Sequence, residues 1–249
     1  MVDAIILAGG SAKGLAEVPA KGLVPVNGRP MFEYVVDALS RCKDIDRICV
    51  VLPVEHSLNR LAAKADVVMA TGSLPRVAKA GIDFLGTKNQ VLILSADIPL
   101  ISPEAISDFL ERCSKRKAGF YYPIVKYGES EKRFPDVKRT YAKVKEGRFT
   151  GGNIVLVEPE FVNRNMAFIE RMYELRKQPV KLARVLGIMF LFRFVLGLLS
   201  IGQLEERVGR LTQSTCMAVI TPFIEIGVDV DKESDLQLAT VALRGGTHE

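Results

Sequence analysis

Three aspartates and two lysines carry the chemistry this sequence offers. Asp97 comes three residues after an apolar run, Val91-Leu92-Ile93-Leu94, and Asp229 and Asp231 follow an expected strand, Ile224-Glu225-Ile226. Two residues apart in an extended segment, Asp229 and Asp231 point to one side. Magnesium takes one or two carboxylates and fills its octahedron with phosphate oxygens and water. Asp97 with Asp231 or Asp229 suits that ion if the two strand ends meet. Lys13 and Lys21 stand in a glycine-rich stretch, Leu7-Ala8-Gly9-Gly10-Ser11-Ala12-Lys13-Gly14 running on to Lys21. Glycines there let bare backbone N–H groups approach an anion. Strand, glycine turn and lysines together make a place to hold a nucleotide's phosphates. The structural alternatives are a plain βα turn for the loop and helix capping for Asp231 and Asp235.

These residues need strands that end in one place. Ala4–Ala8, Ile48–Leu52, Val67–Met69 and Val91–Leu94 are short, continuous apolar runs, the pattern of strands buried on both faces of a parallel sheet. Helical stripes alternate with them. Phe32, Val35, Val36 and Leu39 follow Pro30, Ile106, Phe109, Leu110 and Cys113 follow Ser102-Pro103, and Leu74, Val77, Ala78, Gly81 and Leu85 follow Ser73, which is placed to cap. The expectation is an α/β fold, a mostly parallel central sheet covered by helices on both faces. Such sheets bind ligands at the carboxyl ends of their strands, where the glycine loop, the Gly72-Ser73 turn and Asp97 all fall. The final strands are expected at Met217–Ile220 and Ile224–Ile226, before a helix with Leu236, Ala239 and Leu243 inward.

Composition excludes several classes. The chain has 249 residues, 48% hydrophobic and 25% charged, as in ordinary globular proteins. Only His56 and His248 are present, which argues against histidine acid–base chemistry and a histidine-rich metal site. Cys42 and Cys113 fall on expected helices and Cys49 and Cys216 on strands, without metal-ligand spacing. They read as buried small hydrophobes in a reducing compartment. The chain opens directly on a strand, and the cytoplasm is the expected location. A net charge of +5 suits an anionic small substrate or a nucleic acid alike. Lys126, Lys132, Arg133, Lys138, Arg139, Lys143, Lys145 and Arg148 outnumber the acidic residues among them; the segment reads as a solvated loop or hairpin, with an anion-binding patch as the other reading. From Val185 to Leu204 the sole charge is Arg193. The run reads first as buried helices, then as an oligomer or lipid-facing surface, and last as a membrane span, which Arg193 disfavours.

Leu7-Ala8-Gly9-Gly10 with Lys21 and Pro25-Val26-Asn27-Gly28-Arg29-Pro30-Met31 resembles the opening of nucleotidyltransferases of the glycosyltransferase-A-like fold. These include sugar-1-phosphate nucleotidyltransferases and the molybdenum-cofactor guanylyl- and cytidylyltransferases. Ser95-Ala96-Asp97-Ile98-Pro99-Leu100 resembles their metal-aspartate motif, Gly151-Gly152-Asn153-Ile154 the strand that meets the acceptor, and Val230-Asp231-Lys232-Glu233-Ser234-Asp235-Leu236 the stretch with the second metal ligand. The resemblance covers residues 1–157 and 215–243 in order. It implies one nucleotidyltransferase domain over 1–249, with a helical insert at about 163–212.

The resemblance also implies a reaction: a nucleoside triphosphate and a phosphorylated small-molecule acceptor give a nucleotidyl product and pyrophosphate. Leu7, Ala8, Gly9, Gly10, Lys13, Lys21, Gly72 and Ser73 would bind the nucleotide, and Gly152 and Asn153 the acceptor. Asp97, Asp231 and Asp229 would hold Mg2+, with Lys21 and Asp97 catalytic. No nucleic acid partner is expected, and association through the apolar insert is left to homo-oligomers or, less readily, membranes. The chain departs from the family at Ala12 and Gly14, where a glycine and a phosphate-binding arginine usually stand, and at Ala20 in place of a proline. Lys13 is one place from the missing arginine, as a point charge without bidentate geometry. A nucleotide-binding protein without turnover and a nucleic-acid binder are the competing readings.

Overall fold

The computed structural model describes residues 1–54, 64–128, 140–176 and 178–245. The first strand, β1 (Val2–Leu7), lies between β4 (Ile45–Leu52) and β6 (Val91–Ser95), both parallel to it, and β5 (Asp66–Met69) extends the sheet beyond β4. A small hairpin, β2 (Pro25–Val26) with β3 (Arg29–Pro30), stands apart. On the other side of β6 come β10 (Ile154–Val157), β7 (Phe120–Lys126), β9 (Gly147–Gly151) and β8 (Ala142–Val144), and β11 (Cys216–Thr221) pairs in parallel with β7. Of the nine strands, β9 and β10 run against the rest. The mixed, mostly parallel sheet matches the expectation.

Alternation along β1 divides the core. Ala4 and Ile6 face a layer built with α1 (Met31–Ser40) and α3 (Pro103–Ser114), including Phe32, Leu39, Ile106 and Phe109. Ile5 and Leu7 face the layer of α2 (Leu74–Leu85) and α4 (Pro159–Leu175), with Val77, Ile82, Leu85 and Phe161. Ser102 caps α3 by accepting from the Ala105 N–H. A third, small cluster joins Ala12, Val24, Val26 and Met31 to Val230 and Ala239, the last on α8 (Glu233–Gly245). It welds the glycine loop to the C-terminal segment across more than two hundred residues of sequence.

Several local expectations are corrected. Ile224–Gly227 is a buried 3-10 turn, not a strand. All four of its residues are buried, and the turn brings the chain back to Asp97, whose carbonyl accepts from the Val230 N–H. Cys42 lies just past α1, its Sγ donating to the Ala38 carbonyl; all four cysteines are buried and free. Ser73 occupies the N-cap position of α2, but its hydroxyl makes no capping bond.

The apolar stretch departs most. Between β10 and β11 the chain forms α4, α5 (Pro179–Leu186), α6 (Ile188–Val195) and α7 (Ile201–Thr212). Gly187 and Gly197 take positive φ at either end of α6, so the run is cut into short pieces. The expected burial fails: α6 has no buried residue, and Ile188, Met189, Phe192 and Val195 are exposed. Among the described residues no helix is long and apolar enough to cross a membrane. His56, His248 and the 129–139 part of the basic segment lie outside the described residues.

One contact fixes how the glycine loop closes. Gly22 donates its N–H to the Ala8 carbonyl at 3.2 Å, and a Cβ on Gly22 would lie 2.8 Å from that oxygen and 2.9 Å from the Ala8 Cα. Backbone atoms of a buried strand end do not yield. Gly22→Ala therefore lowers stability by about 1–3 kcal/mol, in the range of overpacked cores, read as the midpoint of urea unfolding; an unchanged midpoint contradicts this packing.

Candidate active site

Strand ends, loop and C-terminal segment converge at the carboxyl edge of the sheet. After β1 the chain leaves at Ala8, makes the loop 9–20, and returns at Lys21, whose N–H donates to the Gly10 carbonyl at 3.1 Å. Lys21 opens a 3-10 turn, Lys21–Leu23. One strand over, the Ala96 N–H donates to the Leu7 carbonyl and holds the chain after β6 against β1. Asp97 follows, and its carbonyl accepts from the Val230 N–H at 2.9 Å. That bond brings Asp229 and Asp231, on either side of buried Val230, to Asp97. Ligand atoms of Asp97, Asp229 and Asp231 all lie within 4.8 Å of one another.

Lys21 answers this crowding. Its Nζ donates to Asp97 Oδ2 and to Asp231 Oδ1, and the Ser95 hydroxyl donates to the other Asp97 oxygen, Oδ1. Lys21 and Asp97 are 14% and 13% exposed, whereas Asp231 is 69% exposed, so the pair is covered on one side and open to solvent on the other. Burial works against the Lys21 charge, but the Asp97 and Asp231 carboxylates outweigh it and raise its pKa above the ordinary value. Hydrogen bonding from Lys21 keeps Asp231 below the usual carboxylate range. Asp229 has the opposite fate. Burial, then the charges of Asp231 and Asp97, push it up to about 6.

The helix-capping alternative is resolved between the two aspartates. Asp235 Oδ2 accepts the N–H groups of Asp231 and Lys232 at 3.1 Å each, tying down the start of α8, and the Asp231 carboxylate goes to Lys21. Gly9 and Gly22 differ in the same informative way. Apart from its chain neighbours, no protein atom lies within 4 Å of where a Gly9 Cβ would stand, so packing does not require glycine there and the loop is open on that side. Gly10 and Gly14 adopt φ of +91° and +84°, backbone that side chains rarely take. Lys13 is exposed on this loop, its N–H donating to Ser11 Oγ at 3.2 Å.

The remaining sequence candidates lie along the same edge. Gly72 is exposed beyond β5, two strands from β1, and the Ser73 hydroxyl beside it is buried without a partner among the described residues. Gly152 is buried between Pro123 and Ile226, donating to the Pro123 carbonyl at 3.0 Å. Asn153 is half-buried; its backbone N–H donates to Ile226 and its carbonyl accepts from Ser95. The structure thus gathers Lys21, Asp97, Asp229 and Asp231 into one cluster, sets Asn153 beside Ser95, and leaves Gly72 and Ser73 at the sheet's far end. Ser95 and Gly22 are the residues that sequence reasoning passed over. The signal for Ser95 is its spacing of two from Asp97, which puts both on one side of an extended chain.

Comparison with known proteins follows the same residues. Two curated relatives align with part of the chain. It is 34% identical to the bifunctional protein GlmU of Rhodospirillum rubrum over 111 residues, 43% of this chain and 25% of that protein. It is 42% identical to the 2-C-methyl-D-erythritol 4-phosphate cytidylyltransferase of Clostridium perfringens over 55 residues, 22% of this chain and 24% of that one. The alignments thus span about a quarter of the length of these relatives. Among solved structures, a hypothetical transferase from Thermus thermophilus superposes with a TM-score of 0.83 at 35% identity, covering 94% of this chain and 99% of the other. The CTP complex of CMP:2-keto-3-deoxy-manno-octonic acid synthetase superposes at 0.63 with 13% identity over 98% of both chains, a likeness of fold. Residues 4–185 match a family that takes in β1, the glycine loop, Lys21 and Asp97 and stops short of Asp229 and Asp231. By that match the chain belongs to the MobA-like NTP transferase domain family.

Proposed function

We propose that this protein transfers a nucleoside monophosphate from a nucleoside triphosphate to a phosphorylated small-molecule acceptor and releases pyrophosphate. The observation that carries the reading is the Lys21 ammonium held between Asp97 and Asp231 at the mouth of an open glycine loop. An acceptor phosphate oxygen forms the new bond to the α-phosphorus as the bond to the bridging oxygen of pyrophosphate breaks. The acceptor is already an anion, so no general base is required. Positioning and electrostatic stabilisation supply the acceleration.

The chain's residues divide that work. The Gly9–Gly10 backbone and Lys13 meet the triphosphate, with Lys13 on the phosphates that depart. Gly72 and Ser73 take the nucleoside end. Gly152 keeps the acceptor strand pressed on Pro123 and Ile226, and Asn153 faces the acceptor. Lys21 exchanges a carboxylate partner for an α-phosphate oxygen. Its raised pKa keeps it protonated, so it serves as a fixed positive charge and not as a proton donor.

Asp97, Asp229 and Asp231 fit magnesium. Their donors are all hard carboxylate oxygens within 4.8 Å, in keeping with that ion's preference, and the Lys21 ammonium shows that a cation is held between two of them. Asp97, Asp229 and Asp231 would hold the ion, whose chemistry when bound would be positive charge set against the α-phosphate and the leaving pyrophosphate.

The test is a screen of the four nucleoside triphosphates against phosphorylated acceptors with magnesium, reading pyrophosphate and the nucleotidylated product by mass. Stoichiometric pyrophosphate and product support the reading; nucleotide binding with no pyrophosphate from any pair sinks it. In the active pair, Lys21→Met lowers kcat about 10²–10³-fold, the scale of a lost transition-state donor, with little change in triphosphate affinity. Lys13→Ala weakens triphosphate binding roughly tenfold, as for a lost charged hydrogen bond, and leaves kcat near wild type.

Proton linkage supplies an independent check in metal-free protein. The unfolded chain ionises Asp229 near its ordinary value, while the folded chain holds the proton to about 6. Asp229 therefore costs stability progressively as pH rises between roughly 4 and 6. Asp229→Asn gains on wild type across that window and keeps a constant advantage above it, measured by urea unfolding with chelator. A difference independent of pH contradicts the crowded site.

A further inference from the structure

Seven of the eight residues of α6 are apolar, Arg193 being the exception, a composition that belongs to buried helices. One side, Phe190, Leu191 and Phe194, is half-buried, and α6 packs there against β8. The other side carries Ile188, Met189, Phe192, Val195 and Leu196, which are 79%, 67%, 61%, 74% and 49% exposed. Their spacing puts them on one helical face, and Leu198 continues it at 48%. Contiguous exposed apolar surface of this kind marks an interaction site.

Charge indicates what covers it. From Leu175 to Leu204 there is no acidic residue, and Arg176, Lys177, Lys181, Arg184 and Arg193 are basic. The β8–β9 hairpin adds more at the C-terminal end of α6. The Lys143 side chain lies against Gly197, the Lys145 N–H donates to the Leu199 carbonyl at 2.9 Å, and Arg148 is the cross-strand partner of Lys143. Lys143, Lys145 and Arg148 are all exposed. Glu146 between them accepts the Ile201 N–H at the start of α7. On the α4 side Glu170 and Glu174 share a shallow groove with Lys181 and Arg184, and Glu170 is paired with Arg76. An apolar helical face bordered by a surplus of lysine and arginine over glutamate is what the interface of an anionic bilayer binds. A nucleic acid would leave the five apolar side chains uncovered. Beneath the helix, an apolar cavity of about 430 Å³ between α6, α7 and the sheet, lined by Phe194, Ile201, Val144 and Phe149, has room for a hydrocarbon chain.

We propose that the protein docks on anionic membrane surfaces through the exposed face of α6, with Lys143, Lys145 and Arg148 on the lipid headgroups. The docking face lies apart from the Lys21 cluster and does not depend on the transfer reaction. The test is sedimentation of the purified full chain with vesicles of phosphatidylcholine alone or mixed three to one with phosphatidylglycerol. The expected result is at least tenfold stronger binding to the anionic vesicles, reversed by 0.5 M salt through screening. Ile188→Asp with Phe192→Asp abolishes it. Lys143→Gln, Lys145→Gln and Arg148→Gln weaken it about fivefold each, the scale for a basic residue at a charged membrane. Melting temperature and nucleotide binding of these surface variants stay at wild type. Failure of wild type to sediment with anionic vesicles overturns the proposal. So does a stable wild-type dimer in light scattering that Phe192→Asp splits, which makes the face a subunit contact, or tighter binding to nucleic acid than to vesicles.

Discussion

Three carboxylates held within 4.8 Å of one another are the constraint around which this molecule is built. Like charges at that distance repel, and in a partly covered site water does little to relieve them. Two devices offset the repulsion. The Lys21 ammonium sits between Asp97 and Asp231, and Asp229 holds its proton until about pH 6. Everything that places Lys21 follows from this. The Gly22 approach to Ala8 sets where the chain returns, and the Lys21–Leu23 turn aims the side chain. The cluster of Ala12, Val24, Met31, Val230 and Ala239 keeps loop and C-terminal segment together. Folding brings the aspartates close at an electrostatic cost, and a cation is the general remedy. Lys21 supplies one such cation from the chain itself.

Elements whose signal is local were legible in the sequence. The apolar runs of β1, β4 and β6, the glycine break after Ala8 and the aspartate after β6 announce themselves within ten residues, and the sheet follows from their alternation with helical stripes. Ile224–Gly227 was not legible. The short Ile-Glu-Ile stretch reads alike as a strand or as a buried turn, and what decides is that the chain must come back to Asp97, a tertiary requirement. The same holds for the ion pairs of Lys21, whose partners are 76 and 210 residues away. Whether Asp231 or Asp235 caps α8 was likewise undetermined until geometry gave the backbone N–H groups to Asp235.

The apolar insert shows a rule overridden by context. Hydrophobic residues in a long run argue for burial, but Gly187 and Gly197 cut the run at positive φ, and the piece between them, α6, has no buried residue. The exposed face of α6 is therefore a surface property that composition conceals. A similar lesson attaches to Gly14. Its φ of +84° means that the arginine usual at this place in related enzymes would strain the loop as it stands.

The claim that Lys21 neutralises the aspartate cluster is tested most directly by a double-mutant cycle in metal-free protein at pH 7.5, using Lys21→Met, Asp97→Asn and the pair, with stability from urea unfolding. The account predicts that removing Lys21 is more destabilising when Asp97 is present, with a coupling energy of about 1 kcal/mol or more, as for residues in one charged network. Effects that add to within about 0.3 kcal/mol, the behaviour of independent sites, would contradict it.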